Sequence, residues 1–149
     1  AKRFYNAFER LHIEHLAPLP GADDMLRRLH GEGVCLAVVS NKTGRYLRDE
    51  AVHLEWEALF HRMVGAGDAE RDKPAEDPVH MALDGAGIAA GETVWFVGDA
   101  GIDMEIAHKT GCLPVLLGNA DLSSEEFDKF QPKVRFESCI DLAGCVIAL

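Results

Sequence analysis

The chain has 149 residues, a length that favours a single domain with a core of its own. Hydrophobic residues make up 48% of it and charged residues 27%, which is ordinary for a globular protein and argues against extensive disorder. The formal net charge of −10 argues against nucleic acid as a partner, because phosphate backbones are bound mainly by Lys and Arg. A small phosphate ligand stays compatible with this charge, since an acidic site can recruit a metal ion.

The sequence contains no segment that predicts contact with a membrane. No stretch approaches the roughly 20 apolar residues of a transmembrane helix, and the first residues lack the apolar core of a signal peptide. The four cysteines include no CxxC pair and suggest no zinc site. We therefore expect a reduced, cytoplasmic protein, with Cys35 and Cys112 buried in or beside apolar strands.

Helical and strand patterns alternate along the whole chain. Residues 1–16 predict an amphipathic helix that Pro18 and Pro20 end, and a second helix opens at residues 21–23 and closes at Gly31. The further predicted elements, in chain order, are a strand at 34–39, a helix at 44–56, strands at 63–66 and 93–97 separated by a helix at 78–87, a helix at 102–110, strands at 113–118 and 133–136, and a helix at 140–149. This alternation favours an α/β fold with a parallel sheet and right-handed crossovers.

The strand at residues 93–97 is a continuous apolar run that ends at two carboxylates four residues apart. Such a run is typical of a parallel strand that is covered on both faces, and ligands collect beyond the carboxyl ends of such strands. Asp99 follows the strand directly, and Asp103 would lie one turn into the next helix. The two side chains are candidates to face one hard cation, Mg²⁺, although an Asp near a helix start is often only a cap.

Polar residues also follow two of the other predicted strands. Ser40 and Asn41 end the strand at 34–39, with Lys42 and Thr43 close enough to contribute, and Lys73 lies in the loop after the strand at 63–66. In a parallel sheet these strand ends meet at one edge, so a hydroxyl, an amide, an ammonium and two carboxylates would converge. Phosphoryl transfer depends mainly on such neutralisation and positioning of charge.

The order and spacing of these segments resemble the haloacid dehalogenase-like (HAD) hydrolase superfamily, in its phosphoglycolate phosphatase-like branch. The segments that carry the resemblance are residues 19–42, 73–74 and 97–103, followed by a helix that ends at Gly111. The resemblance implies a Rossmann-like parallel sheet with helices on both faces. It also implies that residues 1–17 are a remnant of a helical cap and that residues 18–149 are the HAD-like core.

The resemblance assigns a role to each polar strand end. Ser40 would hydrogen-bond the transferring phosphoryl group, and Asn41 would help to orient the nucleophile or the substrate. Lys73 would steady the negative charge of nucleophile and phosphate. Asp99 would bind Mg²⁺, and Asp103 would support the metal directly, through water or through Lys73. The residue before the lysine is acidic where the family more often has Gly, so the lysine has a local alternative partner.

The first motif of the family, a strand that ends in DxDGT or DxDGS, does not occur in this sequence. That motif supplies the nucleophilic aspartate, without which no aspartyl-phosphate intermediate can form. Its strand would lie between the strands that end at Asn41 and Asp99, and its loss would leave two apolar strand edges unpaired. We therefore expect this sequence to be the carboxyl-terminal part of a longer protein.

The sequence thus predicts a Mg²⁺-dependent phosphatase that hydrolyses a small, phosphoglycolate-like phosphomonoester with a nucleophile supplied from outside these 149 residues. One alternative is a non-catalytic HAD-like remnant or phosphate-binding module. Another is a dehalogenase or a phosphomutase on the same scaffold. The expected partner is a small phosphorylated metabolite rather than a nucleic acid or a membrane, and the sequence leaves a homodimer open.

Overall fold

The computed structural model describes residues 19–149, so the helix predicted at residues 1–16 and the cap remnant lie outside the described residues. The strands are β1 (Ala37–Thr43), β2 (Arg62–Ala66), β3 (Trp95–Gly98), β4 (Leu113–Leu117) and β5 (Val134–Phe136). The α-helices are α1 (Ala22–Gly31), α2 (Gly44–His53), α3 (Asp77–Leu83), α4 (Gly101–Thr110) and α5 (Cys139–Ile147). Short 3₁₀ helices occupy Glu57–Leu59 and Glu125–Phe127. The predicted α/β class is confirmed.

The strands form two parallel sheets within the described residues. One sheet has the order β1-β2 and the other the order β3-β4-β5, and every pairing is parallel. Parallel strands require crossover connections, which the intervening helices supply. No ladder joins β1 to β3 in residues 19–149, so each of these strands has one unpaired edge.

Apolar side chains cover both faces of the strands. Leu29 of α1 and Leu142 of α5 pack with Val115 of β4 in one buried cluster. On helices α3 and α4, Val79 and Ile106 belong to a second cluster, which the strand residues Val39 and Phe96 contact. A third cluster contains Met104, Leu116 and Phe127. Burial of each such side chain contributes about 1.5–3 kcal/mol to folding, which holds the helices on both faces as the resemblance implied.

Capping residues define the start of α5 and the end of α4. Ser138 Oγ accepts a hydrogen bond from the Asp141 backbone N at 3.1 Å and caps the start of α5. Gly111 ends α4 with a φ of 77°, a left-handed conformation that glycine adopts without strain. Within residues 19–149, none of the helices combines the length and the apolar character that crossing a membrane requires.

The first strand differs from the prediction in its boundaries. It begins at Ala37 rather than at residue 34 and continues through Thr43, and its register against β2 shifts between Val39 and Thr43. The predicted loop residues therefore form the end of the strand. Cys112 is buried as predicted, whereas the prediction for Cys35 is wrong because this residue precedes the strand and is exposed beside the open edge of β1.

Candidate active site

The carboxyl ends of β1 and β3 meet through one loop lysine. Asn41 Nδ2 donates to the backbone oxygen of Lys73 at 3.5 Å, and Lys73 Nζ donates to Asp103 Oδ1 at 2.6 Å. The backbone N of Asp99 then donates to Asp103 Oδ2 at 3.1 Å. Four of the five predicted site residues thus form one connected group, which we call the site cluster: Asn41, Lys73, Asp99 and Asp103.

The ion pair between Lys73 and Asp103 is buried. Each side chain is only 9% exposed. Attraction between opposite charges is stronger in such surroundings than in water, and the loss of either partner would leave an uncompensated buried charge. The local alternative is not adopted, because Asp72 Oδ1 accepts a hydrogen bond from the Gly67 backbone N at 2.9 Å.

Asp103 also holds the first turn of α4. Its Oδ2 atom accepts hydrogen bonds from the backbone N atoms of Asp99 and Ala100, at 3.1 and 3.3 Å. A carboxylate is favourable at this end of a helix because the backbone N–H groups there are unpaired and the helix dipole is positive. The capping role and the contact with Lys73 therefore occur together, and both carboxylate oxygens have protein donors.

Glycine at position 98 allows this arrangement. A Cβ atom at Gly98 would lie 2.2 Å from both Cβ and Cγ of Asp103, far inside contact distance. Any side chain there would displace Asp103 from the end of β3. The Gly-Asp pair after the apolar strand is thus explained by the close approach of the α4 carboxylate to the strand.

In β1, the Ser40 hydroxyl is bonded within its own strand rather than to the site cluster. Its Oγ atom accepts a hydrogen bond from the Lys42 backbone N at 3.0 Å, and it is half-buried. The Lys42 ammonium pairs with Glu50 of α2, one of two buried acidic residues within residues 19–149. Glu50 therefore lies on the buried side of α2, where the lysine at the strand end neutralises its charge. The sequence carried no signal for this contact.

The Asp99 carboxylate has the properties that a metal ligand requires. It is exposed, and no side chain of residues 19–149 donates a hydrogen bond to it. No group of three or more metal-binding side chains occurs in the described part of the chain. Mg²⁺ needs few protein ligands, because it retains several waters and binds one or two carboxylates together with substrate phosphate oxygens. The residues present therefore fit this ion, with Asp99 as the open ligand.

The 3₁₀ helix at Glu125–Phe127 packs against the start of α4, the helix that carries Asp103. Glu126 Oε1 accepts a hydrogen bond from the Gly101 backbone N at 3.3 Å. A Cβ atom at Gly101 would lie 2.3 Å from the backbone oxygen of Glu126, so this segment packs closely on the start of α4. The sequence did not predict this contact, which joins residues 25 positions apart.

The loop that carries Lys73 is anchored at its start. Asp68 Oδ2 accepts hydrogen bonds from Arg48 Nη1 and from the Gly65 backbone N, both at 2.8 Å. The hydrogen bond from Arg48 is the main reason why the pKa of Asp68 lies below its ordinary value, and the backbone N–H of Gly65 lowers this pKa further. Helix α2 is thereby attached to the loop between β2 and Lys73.

Known proteins are similar to this chain in sequence. The sequence profile of the haloacid dehalogenase-like hydrolase family matches residues 1–116. Phosphoglycolate phosphatase of Escherichia coli (strain K12) is 31% identical over 123 residues, which are 83% of this chain and 48% of that protein. The corresponding enzyme of Salmonella paratyphi A is 28% identical over the same shares of the two chains. The chain thus spans about half the length of the curated relatives it matches.

Solved structures share the fold. A HAD-superfamily hydrolase from Ehrlichia chaffeensis matches 87% of this chain and 57% of its own with a TM-score of 0.75 and 31% identity. A predicted phosphoglycolate phosphatase from Haemophilus somnus matches 97% of this chain and 66% of its own with a TM-score of 0.76, at 24% identity. The resemblance that the motifs predicted is confirmed, and the chain belongs to the haloacid dehalogenase-like hydrolase family.

Proposed function

We propose that the protein is a Mg²⁺-dependent phosphatase that hydrolyses a small, phosphoglycolate-like phosphomonoester. The observation that carries this proposal is the site cluster, which links the ends of β1 and β3 through a buried lysine. An ammonium, an amide and an open carboxylate at one sheet edge suit a dianionic phosphoryl group. Relatives named phosphoglycolate phosphatase support the substrate class.

Each residue of the site would have a separate task in hydrolysis. Lys73 would place positive charge near the phosphoryl oxygens, where charge must be stabilised in the transition state. Ser40 and Asn41 would position the phosphoryl group by hydrogen bonds. Asp103 would hold Lys73 and the start of α4 in place, so we propose that it supports the metal indirectly.

Asp99 would hold the metal ion. A bound Mg²⁺ supplies charge neutralisation to the phosphoryl group. The nucleophile would be an aspartate outside these 149 residues, because the sequence contains no DxD motif after an apolar strand. The rest of the chemistry depends on how Lys73 and the strand ends orient the phosphoryl group toward that carboxylate.

A phosphate-binding module without catalysis is the second candidate. The specific observation in its favour is that the sequence contains the residues proposed to contact phosphate but no DxD motif after an apolar strand. A dehalogenase is less favoured, since Asp99 and Lys73 suit a metal-dependent phosphoryl reaction. A phosphomutase would use the same cluster and would differ in the acceptor of the phosphoryl group.

The test is hydrolysis of p-nitrophenyl phosphate and of phosphoglycolate by protein made from its whole reading frame, after its intact mass has been recorded. We expect turnover that requires Mg²⁺ and falls about 100-fold or more in Asp99→Asn, because a charge-stabilising group is removed. Asp121→Asn changes an exposed carboxylate outside the cluster and serves as the matched control. A folded protein that binds phosphate without turnover would favour the module instead.

A further inference from the structure

The turn that carries Lys73 is held by the residue before it, Asp72. Asp72 Oδ1 accepts a hydrogen bond from the Gly67 backbone N at 2.9 Å, and the backbone oxygen of Asp72 accepts one from the Ala75 backbone N, also at 2.9 Å. The first bond closes a loop before Asp72, and the second closes a turn after it. Lys73 therefore directly follows the residue at which the loop and the turn meet.

The carboxylate of Asp72 is a partner for Lys73 that the fold does not use. Lys73 Nζ donates to Asp103 Oδ1 at 2.6 Å, and its side chain is only 9% exposed, whereas Asp72 is exposed. An Asp72 carboxylate without its hydrogen bond to Gly67 would be an opposite charge one residue away from the ammonium and would compete with Asp103. The bond to Gly67 therefore keeps the acidic side chain away from Lys73.

Gly67 is a fixed donor because the chain around it is anchored to β2. It directly follows Ala66, the last residue of β2, and has a φ of 86°, a left-handed conformation that suits glycine. The next residue, Asp68, donates its backbone N–H to the Gly65 backbone oxygen at 3.2 Å and accepts the Gly65 N–H with its side chain. Through Gly67, Asp72 is thus tied to the end of β2.

Lys73 must form two contacts together, one with its backbone and one with its side chain. Its backbone oxygen accepts a hydrogen bond from Asn41 Nδ2 at the end of β1, and its ammonium reaches Asp103 at the start of α4. A segment as long as residues 67–76 has many conformations when it is unrestrained, and few of them satisfy both contacts. Asp72 removes much of this freedom, because its hydrogen bond fixes the chain directly before Lys73.

We propose that Asp72 is a positioning residue for Lys73. By binding the Gly67 backbone N–H, the Asp72 carboxylate holds the turn in the arrangement in which Lys73 Nζ stays buried with Asp103. When this hydrogen bond is lost, the turn opens and the ammonium becomes accessible to solvent. This structural effect rests on the contacts alone, and only its consequence for phosphomonoester hydrolysis rests on the proposed function.

The first test measures, by mass spectrometry, how fast an amine-reactive succinimidyl ester modifies Lys73 in the full 149-residue chain. Lys109, whose side chain is 42% exposed, serves as the internal reference. We expect Asp72→Ala to raise the labelling rate of Lys73 relative to that of Lys109 about tenfold, because a lost hydrogen bond to a charged group favours local opening. Asp72→Asn should stay within about twofold of the unchanged protein, since its amide oxygen still accepts the Gly67 N–H.

Two controls separate this effect from changes in charge and in global stability. Glu70→Ala removes an exposed carboxylate of the same loop that accepts no hydrogen bond within residues 19–149, and it should leave the labelling of Lys73 unchanged. Labelling is repeated at several low urea concentrations, because global unfolding accelerates with urea whereas a local opening of the turn responds little. The proposal is overturned if Asp72→Ala labels Lys73 no faster, if Glu70→Ala or Asp72→Asn accelerates labelling as much, or if the acceleration in Asp72→Ala rises steeply with urea.

Turnover of p-nitrophenyl phosphate by protein made from its whole reading frame tests the consequence for hydrolysis. Asp72→Ala should lower kcat about tenfold or more, because a displaced Lys73 no longer faces the phosphoryl group, and Asp72→Asn should restore it. The Mg²⁺ concentration for half-maximal activity should stay unchanged, since Asp99 is not displaced. Equal kcat values for Asp72→Ala and the unchanged protein would overturn this consequence. Faster labelling of Lys73 in Asp72→Ala without any turnover by the unchanged protein would support the positioning role and count against the proposed function.

Discussion

Two ion pairs of this protein have the same N–O distance of 2.6 Å but differ in how far their side chains are exposed to solvent. The Lys73–Asp103 pair has side chains that are each 9% exposed, whereas the Lys109–Glu105 pair on α4 has side chains that are 42% and 28% exposed. Solvent screens the second pair, and such pairs contribute little to stability. The first pair cannot lose a partner without leaving a charge inside the protein.

We expect Lys73→Met to lower the free energy of unfolding by about 3–5 kcal/mol at neutral pH, because the Asp103 carboxylate would remain buried without its cation. Urea unfolding followed by circular dichroism measures this change. The double variant Lys73→Met with Asp103→Asn should recover part of the loss, since no unpaired charge is left.

Lys109→Met is the matched control for the buried pair. It breaks an i,i+4 pair of the same length on the exposed side of α4, and it should change the free energy of unfolding by no more than about 0.5 kcal/mol. Similar losses in the two lysine variants would show that the burial of Lys73 does not matter.

The residues of the site differ in how far the sequence could predict them. Asp99, Asp103 and Lys73 follow apolar strands, and this position together with the family resemblance marked them as candidates. Glu50 and Glu126 carry no such mark, because their contacts depend on how α2 and the 3₁₀ helix pack against distant segments. Local patterns indicated the polar residues that follow apolar strands, but they did not indicate contacts between distant segments.

At the scale of elements, two glycines bring α2 and β2 together. A Cβ atom at Gly65 would lie 2.4 Å from the Cα atom of Gly44 and 2.7 Å from the backbone oxygen of Lys42. These neighbours are backbone atoms, which cannot rotate away as a side chain can. The approach of helix to strand therefore depends on the absence of a side chain at position 65.

We expect Gly65→Ala to destabilise the protein by about 1–3 kcal/mol or more, because α2 must move away from β2 to admit the methyl group. Gly144→Ala is the control, since a Cβ atom there in α5 meets nothing within 4 Å. It should be neutral or stabilise by up to about 1 kcal/mol. Urea midpoints of the two variants measure the contrast, and a stable Gly65→Ala protein would disprove the close contact.

The anchor between Arg48 and Asp68 should make stability depend on pH. The pKa of Asp68 is lower in the folded protein than in the unfolded chain, chiefly because of the Arg48 hydrogen bond. The contribution of Asp68 is therefore fully present above its ordinary pKa of about 3.9 and is lost as the pH falls through the lower folded pKa. We expect Asp68→Asn to lower the free energy of unfolding by about 1–3 kcal/mol at pH 7 and by much less near pH 2.

Chemical denaturation at several pH values checks this expectation. Arg48→Met removes the other partner and should show the same dependence, with a large loss at pH 7 that shrinks in acid. A loss in Asp68→Asn that stays constant down to pH 2 would mean that the carboxylate charge is not what stabilises the loop.

The predicted elements were correct in kind and order but differed at their ends. The apolar run at residues 34–39 predicted a strand that stops before Ser40, whereas β1 begins at Ala37 and continues to Thr43. Hydrophobic residues mark what is buried, but the extent of a strand depends on its partner. Here β2 starts opposite Ala37, so residues 34–36 have no strand beside them and lie outside the ladder.

At the scale of the whole molecule, one cluster connects α1 and α5, the first and last helices of residues 19–149. Leu29 of α1 and Leu142 of α5 pack together on Val115 of β4, which belongs to the larger sheet. Helix α1 also contacts the segment before β2. Because no backbone ladder joins the two sheets within residues 19–149, side-chain packing and the hydrogen bonds of the site cluster must carry the cooperativity between them.

We expect Leu29→Ala to lower the free energy of unfolding by about 2–5 kcal/mol. The urea midpoints of both sheets should fall together. The two tryptophans make this measurable, since Trp56 lies before β2 and Trp95 lies in β3. Variants that keep one tryptophan each report on one region by fluorescence during urea unfolding.

Val52→Ala is the control for this experiment because Val52 is an exposed apolar residue, and it should change neither midpoint appreciably. If Leu29→Ala lowered the Trp56 midpoint and left the Trp95 midpoint in place, the two sheets would unfold independently. In that case the cluster would not be what makes the molecule one cooperative unit.

The carboxylates of Asp99 and Asp103 differ in how many contacts they make within the fold, and this difference affects which substitutions evolution can tolerate. Asp103 holds a buried lysine and the first turn of α4, whereas no side chain of residues 19–149 donates to the Asp99 carboxylate. Selection for folding alone therefore preserves position 103 and is indifferent to position 99. Under the proposed function, relatives that no longer hydrolyse phosphomonoesters should lose the aspartate at position 99 earlier than the aspartate at position 103.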